Sequence, residues 1–274
     1  MMSEKRILLA SPIREKPDIL KEYADSLLNL DREGLKAEFL FIDDNVDMES
    51  VRILHKLAQI LPAVLMDGDM NPQDVNSHTK HQWNVDTILR VSEYRNKILE
   101  FAREGDYDGL FFVDSDLILH PKTLVHLIQQ DKDIISEIYW TRWTSSGPFY
   151  PQVWLCDNYT QYEPEYVGLL GLEQIRKKTE AFHSMLKKPG VYKVGGLGGC
   201  TLINKKVLLS NITFSKIYNL SFKGEDRHFC VRAAAYGFEM YVDTTFPAYH
   251  IYRESDLAGC KKFKEKCSYK IKGI

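Results

Sequence analysis

No apolar run in this sequence approaches the roughly 20 residues that a membrane-spanning helix needs. The first hydrophobic stretch, Ile7-Leu8-Leu9-Ala10, is stopped by Ser11-Pro12 and is too short for the core of a signal peptide. There is no basic excess either. Against 36 Lys and Arg stand 38 Asp and Glu, a formal net charge of -2, which argues against a dedicated nucleic-acid binder. Cysteine is sparse and unpatterned. The five, Cys156, Cys200, Cys230, Cys260 and Cys267, are odd in number and contain no CxxC pair. That speaks against a disulfide framework or a zinc knuckle and for reduced thiols in a cytoplasmic protein. Internal repeats and low-complexity segments are also missing, so the 274 residues are expected to form one large α/β domain with a modest extension.

What is present is an alternation of two periods. Short apolar runs at 7–10, 39–42, 63–66, 109–113 and 134–139 read as strands. Between them, 17–30, 48–61, 84–103 and 121–129 carry apolar residues at helical spacing. Strands alternating with helices of this length imply a mostly parallel sheet flanked by helices, with right-handed crossovers. The polar stretch 67–83, with His78, His81 and Trp83, is long for a compact domain and reads as a lid that orders over a ligand or as a plain surface loop. After residue 140 the rhythm breaks. An edge strand at 150–155, a helix at 172–186, a glycine-rich strand at 191–203, a helix at 224–236 and a strand at 239–242 follow. The chain therefore divides into a ligand-binding half, 1–140, and a second half, 141–252, fused into one domain, with a basic tail at 253–274. The tail segment around Lys261-Lys262-Phe263-Lys264 reads as a solvated helix or as a contact with an anionic membrane surface.

Five local features carry chemistry. Asp114-Ser115-Asp116 follows the buried run Leu110-Phe111-Phe112-Val113, at a strand's carboxyl end, where ligands of open α/β sheets bind. Residues i and i+2 of extended chain point the same way, so the two carboxylates can converge. Hard oxygen ligands of this kind suit Mg2+ or Mn2+ carrying substrate phosphates, whereas the plain alternative is an Asp-capped turn. Asp226, in Gly224-Glu225-Asp226, precedes Phe229 and Cys230 by three and four residues and so shares their inward face. It reads as a general base or as a helix-start acid favoured by the macrodipole. Arg95 stands seven residues after Ile88 on an inward helix face and seeks a carboxylate or phosphate, with the acidic cluster at Asp114 and Asp116 the obvious candidate, unless it snorkels at the helix edge. The run Gly195-Gly196-Leu197-Gly198-Gly199 lets backbone approach a ligand closely or serves as a hinge. It is not GxGxxG and leads into no helix, so a dinucleotide site is not expected. His250 is a packed histidine or a neutral metal ligand.

In this order and spacing the pieces resemble glycosyltransferase family 2. The segment from Tyr94-Arg95-Asn96 to Val113-Asp114-Ser115-Asp116 resembles that family's central block. Gly198-Gly199-Cys200, Gly224-Glu225-Asp226 and Ala235-Tyr236-Gly237 resemble its later block. The resemblance implies a GT-A (Rossmann-like) fold whose C-terminal half faces an acceptor. It implies a nucleotide-diphosphate sugar donor, a UDP- or GDP-sugar, held through Mn2+ or Mg2+. Carried over residue by residue, Asp114, Asp116 and His250 would serve the metal, with Asp114 and Ser115 also at the donor. Ser11, Pro12, Asp43, Asp44 and Arg95 would line the donor, and Gly198 and Gly199 the acceptor side. Asp226, seconded by Glu225, would deprotonate an acceptor hydroxyl with inversion. The acceptor, a glycan, lipid or protein, is not named by any motif, and acceptor choice is expected within 150–190. Arg227-His228 departs from the family pattern, where an acidic residue is more usual. Three rivals stand beside this reading. An Asp-x-Asp phosphotransferase would carry its motif after the first strand, and a sugar-nucleotide pyrophosphorylase would need a glycine-rich loop where Ser11-Pro12-Ile13-Arg14 stands. The third is a non-catalytic binding module.

Overall fold

The computed structural model describes residues 4–69, 84–156, 158–164, 169–221 and 223–271. His78, His81 and Trp83, expected in a closing loop, lie outside the described residues.

The first half is built as its hydrophobic periods dictate. Strands β1 (Lys5–Ile13), β2 (Leu35–Asp43), β3 (Ala63–Asp67) and β4 (Gly109–Val113) are parallel and lie in the order β3-β2-β1-β4. Helices α1 (Pro17–Leu28), α2 (Met48–Ile60) and α3 (Val85–Glu104) connect them. Each helix starts where its chemistry permits. Pro17 opens α1, where a missing N–H costs nothing, and the Asp47 carboxylate accepts from the Glu49 and Ser50 amides to cap α2. Asn84 caps α3 through the Thr87 amide.

The remaining elements are β5 (Leu117–Ile118), α4 (Thr123–Gln129), β6 (Ile134–Thr141), β7 (Tyr150–Pro151), β8 (Val153–Trp154), α5 (Leu172–Leu186), β9 (Val191–Val194), β10 (Gly196–Leu197), β11 (Cys200–Asn204), α6 (Lys205–Leu208), α7 (Glu225–Ala235), β12 (Met240–His250) and α8 (Cys260–Lys266). The sheet continues β4-β11-β6-β12-β5. Here the structure corrects the expectation at 191–203. That run is three strands, not one: β9 pairs with β12, β10 with β8, and β11 inserts antiparallel between β4 and β6. Each glycine-rich corner redirects the chain. The last strand is longer than expected, because β12 continues past an irregularity between Asp243 and Ala248 to pair with β5 at His250.

Alternation along β1 sets up three layers. Leu8 and Ala10 face the core beneath α3, α5 and α7, where Tyr94, Ile98, Phe182 and Phe229 pack. Ile7 and Leu9 face the opposite core, with Leu20, Tyr23, Leu54, Leu57, Leu124 and Leu127 from α1, α2 and α4. All five residues of β4 are buried, as expected of a strand covered on both faces. Each fully buried large side chain contributes about 2 kcal/mol of transfer free energy.

The basic tail is docked rather than solvated all round. Lys264 pairs with Glu22 at 2.8 Å and Asp25 at 3.0 Å on α1. Phe263 and Tyr269 pack around Ile19, Ile118 and Ile251. The amides of Lys270 and Ile271 donate to the Asn29 side chain. Among the described residues, no helix is long and apolar enough to cross a membrane.

Candidate functional site

Strands β1, β2, β4, β6 and β12 all end on one edge of the sheet, and the charged residues gather there. Asp114 directly follows β4. Its amide donates to the Gly199 carbonyl at 2.7 Å, and Arg95 reaches its Oδ1 at 2.7 Å. A Cβ on Gly199 would run into the Asp114 carboxylate, so any side chain here would displace that carboxylate from Arg95. The Gly199 amide in turn donates to the Tyr139 hydroxyl at 3.1 Å. Gly198, likewise, lies against the Tyr139 hydroxyl. Both glycines, expected on the acceptor side, shape the floor under Asp114.

Arg95 is the hub. Its guanidinium is nearly buried, with 6% side-chain exposure, and it bridges two elements: Asp114 after β4 and Glu225 at the start of α7, the latter at 3.4 Å. The ring of Phe214 lies 5.3 Å away. A buried cation so placed needs both anions, since removing a partner leaves charge unsatisfied. Arg95→Lys keeps the charge but loses the planar fork that spans two carboxylates. It is expected to lower the melting temperature by several degrees and to weaken donor-nucleotide binding about tenfold. Unchanged values in calorimetry and titration would show that the bridge holds nothing.

Asp116 and His250 form the second pair. His250 Nε2 lies 2.9 Å from Asp116 Oδ2, and its Nδ1 lies 2.8 Å from the Thr141 hydroxyl. With the proton on Nδ1 donated to Thr141, Nε2 keeps its lone pair free to ligate a cation beside Asp116, the arrangement that orients metal-ligating histidines; a protonated imidazole instead donates from Nε2 to the Asp116 carboxylate. Neighbouring ligands of an octahedral ion with bonds of about 2.1 Å lie roughly 3 Å apart. Asp116 and His250 have that spacing, so the donor set fits Mn2+ or Mg2+. Among the described residues, no three His, Cys, Asp or Glu side chains gather into one ligand set. An ion here would complete its shell from substrate phosphate and water, as Mg2+ usually does.

Asp226 stands on the first turn of α7. Its Oδ1 accepts from the Tyr159 hydroxyl at 2.9 Å and from the Arg227 amide at 2.7 Å. Burial raises its pKa above the ordinary value, against the pull of Arg95 and Tyr159. Burial likewise pushes Asp114 up to about 6, with Arg95 opposing and Asp116 reinforcing. Glu225 is pushed up to about 7 by burial and by Asp226, again against Arg95. Burial alone would lower His250, but Asp116 outweighs it and holds the imidazole above its ordinary value.

The base-side residues are more occupied than expected. Asp44 is buried and takes Arg14 at 3.2 Å, Arg90 at 3.4 Å and the Tyr94 hydroxyl at 3.0 Å. Asp43 turns its Oδ1 to the Asn45 amide and side chain. Ser11 spends its hydroxyl on the Val113 carbonyl at 2.6 Å and on Tyr23, so only its backbone is left to face a ligand. Pro12 pairs beside Ile42 within the sheet. Ser115 is buried and bonds to Glu15.

Two site residues escaped sequence reasoning. Glu15, just past β1, has its pKa pushed well up by burial and by Asp116 and Asp114. Its place at a strand's carboxyl end was the available signal. Tyr159 sits in the left-handed region, with φ 57°, within the stretch 150–190 where acceptor choice is expected. Only the fold brings it to Asp226.

The raised groups fix a pH dependence. A group with a raised pKa in the folded chain binds its proton more tightly there. Its stabilisation is full below the unfolded pKa and is lost as pH rises through the folded one. Asp114, Glu225, Asp226 and His250 all act in this sense. The metal-free protein should therefore melt lower at about pH 8 than at about pH 5. Mn2+ with a nucleoside diphosphate, which replaces the protons, should flatten that slope. A metal-free melting temperature that rises across this window would show that these raised groups do not govern stability.

No protein-family model and no curated protein matches the sequence. Solved structures do. S. aureus TarS 1-349 is similar with a TM-score of 0.52 at 17% identity, over 89% of this chain and 60% of that one. A second S. aureus TarS structure gives 0.54 at 15% identity, over 95% of this chain and 39% of that one. Mannosyltransferase PcManGT from Pyrobaculum calidifontis, in complex with GDP-Man and Mn2+, gives 0.54 at 11% identity, over 100% of this chain and 67% of that one. The chain thus spans less than two thirds of either TarS chain. At these identities the likeness is one of fold. Its layered, mostly parallel sheet and these neighbours show that the chain has a GT-A-like glycosyltransferase fold.

Proposed function

We propose that this chain transfers a sugar from a nucleotide-diphosphate donor to an acceptor hydroxyl, with a divalent metal and with inversion. The observation that carries the reading is the meeting of two charged pairs at the strand ends. Asp116 with His250 offers a cation site, and Arg95 ties Asp114 to the helix that presents Asp226. A similar fold in the mannosyltransferase holds GDP-Man and Mn2+, which supports a nucleotide-sugar donor for this one.

Asp116 and His250 would hold Mn2+ or Mg2+, which when bound neutralises diphosphate charge, while Asp114 stays paired with Arg95 on the donor side. Arg95 fixes Asp114 so that the donor side is organised before substrate arrives. Asp226 accepts the proton of the acceptor hydroxyl. Its raised pKa brings a carboxylate closer to the ideal for general-base work near neutral pH. The Tyr159 hydroxyl holds one of its oxygens and leaves the other for the acceptor. Glu225 is the less suited of the two acids, since it faces Arg95. A single displacement with one base on the acceptor side inverts the anomeric centre.

A panel of UDP- and GDP-sugars, with and without Mn2+, tests the donor assignment by thermal stabilisation. A donor that binds only the folded state at 100 times its Kd contributes about 2.7 kcal/mol. Stabilisation by at least one nucleotide sugar, dependent on metal, is expected. A flat response across the panel would overturn the reading.

A further inference from the structure

A cavity of about 660 Å³ opens beside His250, between the ends of β6 and β12 and helix α8. None of its lining residues belongs to β1 or β2, which end at Ile13 and Asp43, so it lies apart from the base side. Trp140, Phe149, Phe246 and Tyr252 line it. Its size is that of a ligand pocket, where aromatic walls with a few polar groups are usual. Phe149, on the loop between β6 and β7, is 56% exposed, and Trp143 on the same loop, 47% exposed, packs its ring edge-on against the lining residue Tyr252; large apolar surface left to water marks a site of interaction. Flat aromatic faces suit the C–H faces of a pyranose.

The charge in this cavity is cationic. Arg142 and Lys266 line it against a single carboxylate, Asp256. That carboxylate already accepts from the Arg253 amide at 2.9 Å. It meets Arg142 only at 3.8 Å. Arg142 lies over the Phe149 ring at 5.2 Å, and its Nε is buried with no hydrogen-bond partner among the described residues. The loop is braced from behind, since Arg253 donates to the carbonyls of Arg142 and Trp143. A guanidinium held in place with donor capacity to spare is an anion receptor.

We propose that this cavity is the acceptor subsite and that it takes a saccharide bearing an anionic group, a phosphate or carboxylate, on or next to the ring. The word acceptor rests on the transferase reading; the binding claim does not. Saturation-transfer NMR with glucose 6-phosphate, glucuronate and methyl glucoside tests it on the full chain. In the wild type, at least one anionic probe should bind about tenfold tighter than methyl glucoside. That preference should collapse in Arg142→Ala and weaken in Lys266→Ala. UDP and GDP with Mn2+ should not displace the probe. Lys266 is exposed, so its variant decides the matter if Arg142→Ala does not fold. Equal binding of all three probes, no binding, displacement by nucleotide, or indifference to both variants would overturn the proposal. Selective anionic binding in a protein that takes no nucleotide would leave the cavity standing and remove the transferase reading. Nucleotide binding without probe selectivity would do the reverse.

Discussion

Asp226→Asn is expected to lower kcat by roughly 10²–10⁴-fold, or about 3–5 kcal/mol at the transition state, the usual cost of losing a general base. The amide is close in size. Its oxygen can still accept from the Tyr159 hydroxyl and the Arg227 amide, which now bond Oδ1, so the turn should stay in place. What disappears is the second, basic oxygen. The donor dissociation constant should hold, because the base meets the acceptor and not the nucleotide. Stability should not fall, since a carboxyl whose pKa burial raises is relieved by neutralisation. Steady-state kinetics with a separate nucleotide titration divide the cases. Weakened donor binding with intact kcat would make Asp226 a donor contact, and the base would then be sought at Glu225. A product that keeps the donor's anomeric configuration would remove the single-displacement scheme.

The second large effect is expected from Asp116→Ala. Transfer should fall by on the order of 10³-fold, the scale of losing one preorganised electrostatic group. The fold should not suffer. Asp116 adds to the repulsion that raises Asp114 and Glu15, so its removal relieves an acidic cluster, and the His250 it leaves behind can be neutral. Melting temperature equal to or above wild type with activity nearly lost is the pattern of a functional carboxylate, for which stability is sacrificed. An unfolded variant would make the Asp116–His250 pair structural. A folded variant with full activity in chelator-treated buffer would remove the metal from the account.

Much of this site was legible because it depends on local geometry. Asp114 and Asp116 follow a strand whose unbroken apolar run could only be buried, and strand ends are where ligands bind. Arg95 faces inward because seven residues, two helical turns, separate it from Ile88. Asp114 as a partner of Arg95 was legible in the same way, whereas Asp116 beside His250 followed only from the family resemblance and Glu225 as a second partner of Arg95 was not legible. The Arg95–Glu225 and Asp116–His250 contacts span 130 and 134 residues of chain and are made only when β12 pairs with β5 and α7 docks. Tyr159 lies in a stretch with no periodic pattern. The glycine-rich run misled because glycine marks both a continuous strand near a ligand and a corner between strands, and here it makes corners. Ser11 and Asp44 stand at the expected strand ends, yet their side chains are held by Val113, Tyr23, Arg14, Arg90 and Tyr94. No window of sequence carries those pairings.

The most direct test is release of nucleoside diphosphate from a panel of UDP- and GDP-sugars, followed with wild-type protein in Mn2+, in chelator, and with Asp116→Ala. Turnover of at least one donor in Mn2+, abolished by chelator and by the substitution while the protein stays folded, is the expected result. Turnover that is the same with chelator, or no turnover of a donor that demonstrably binds, would contradict a metal-dependent sugar transferase.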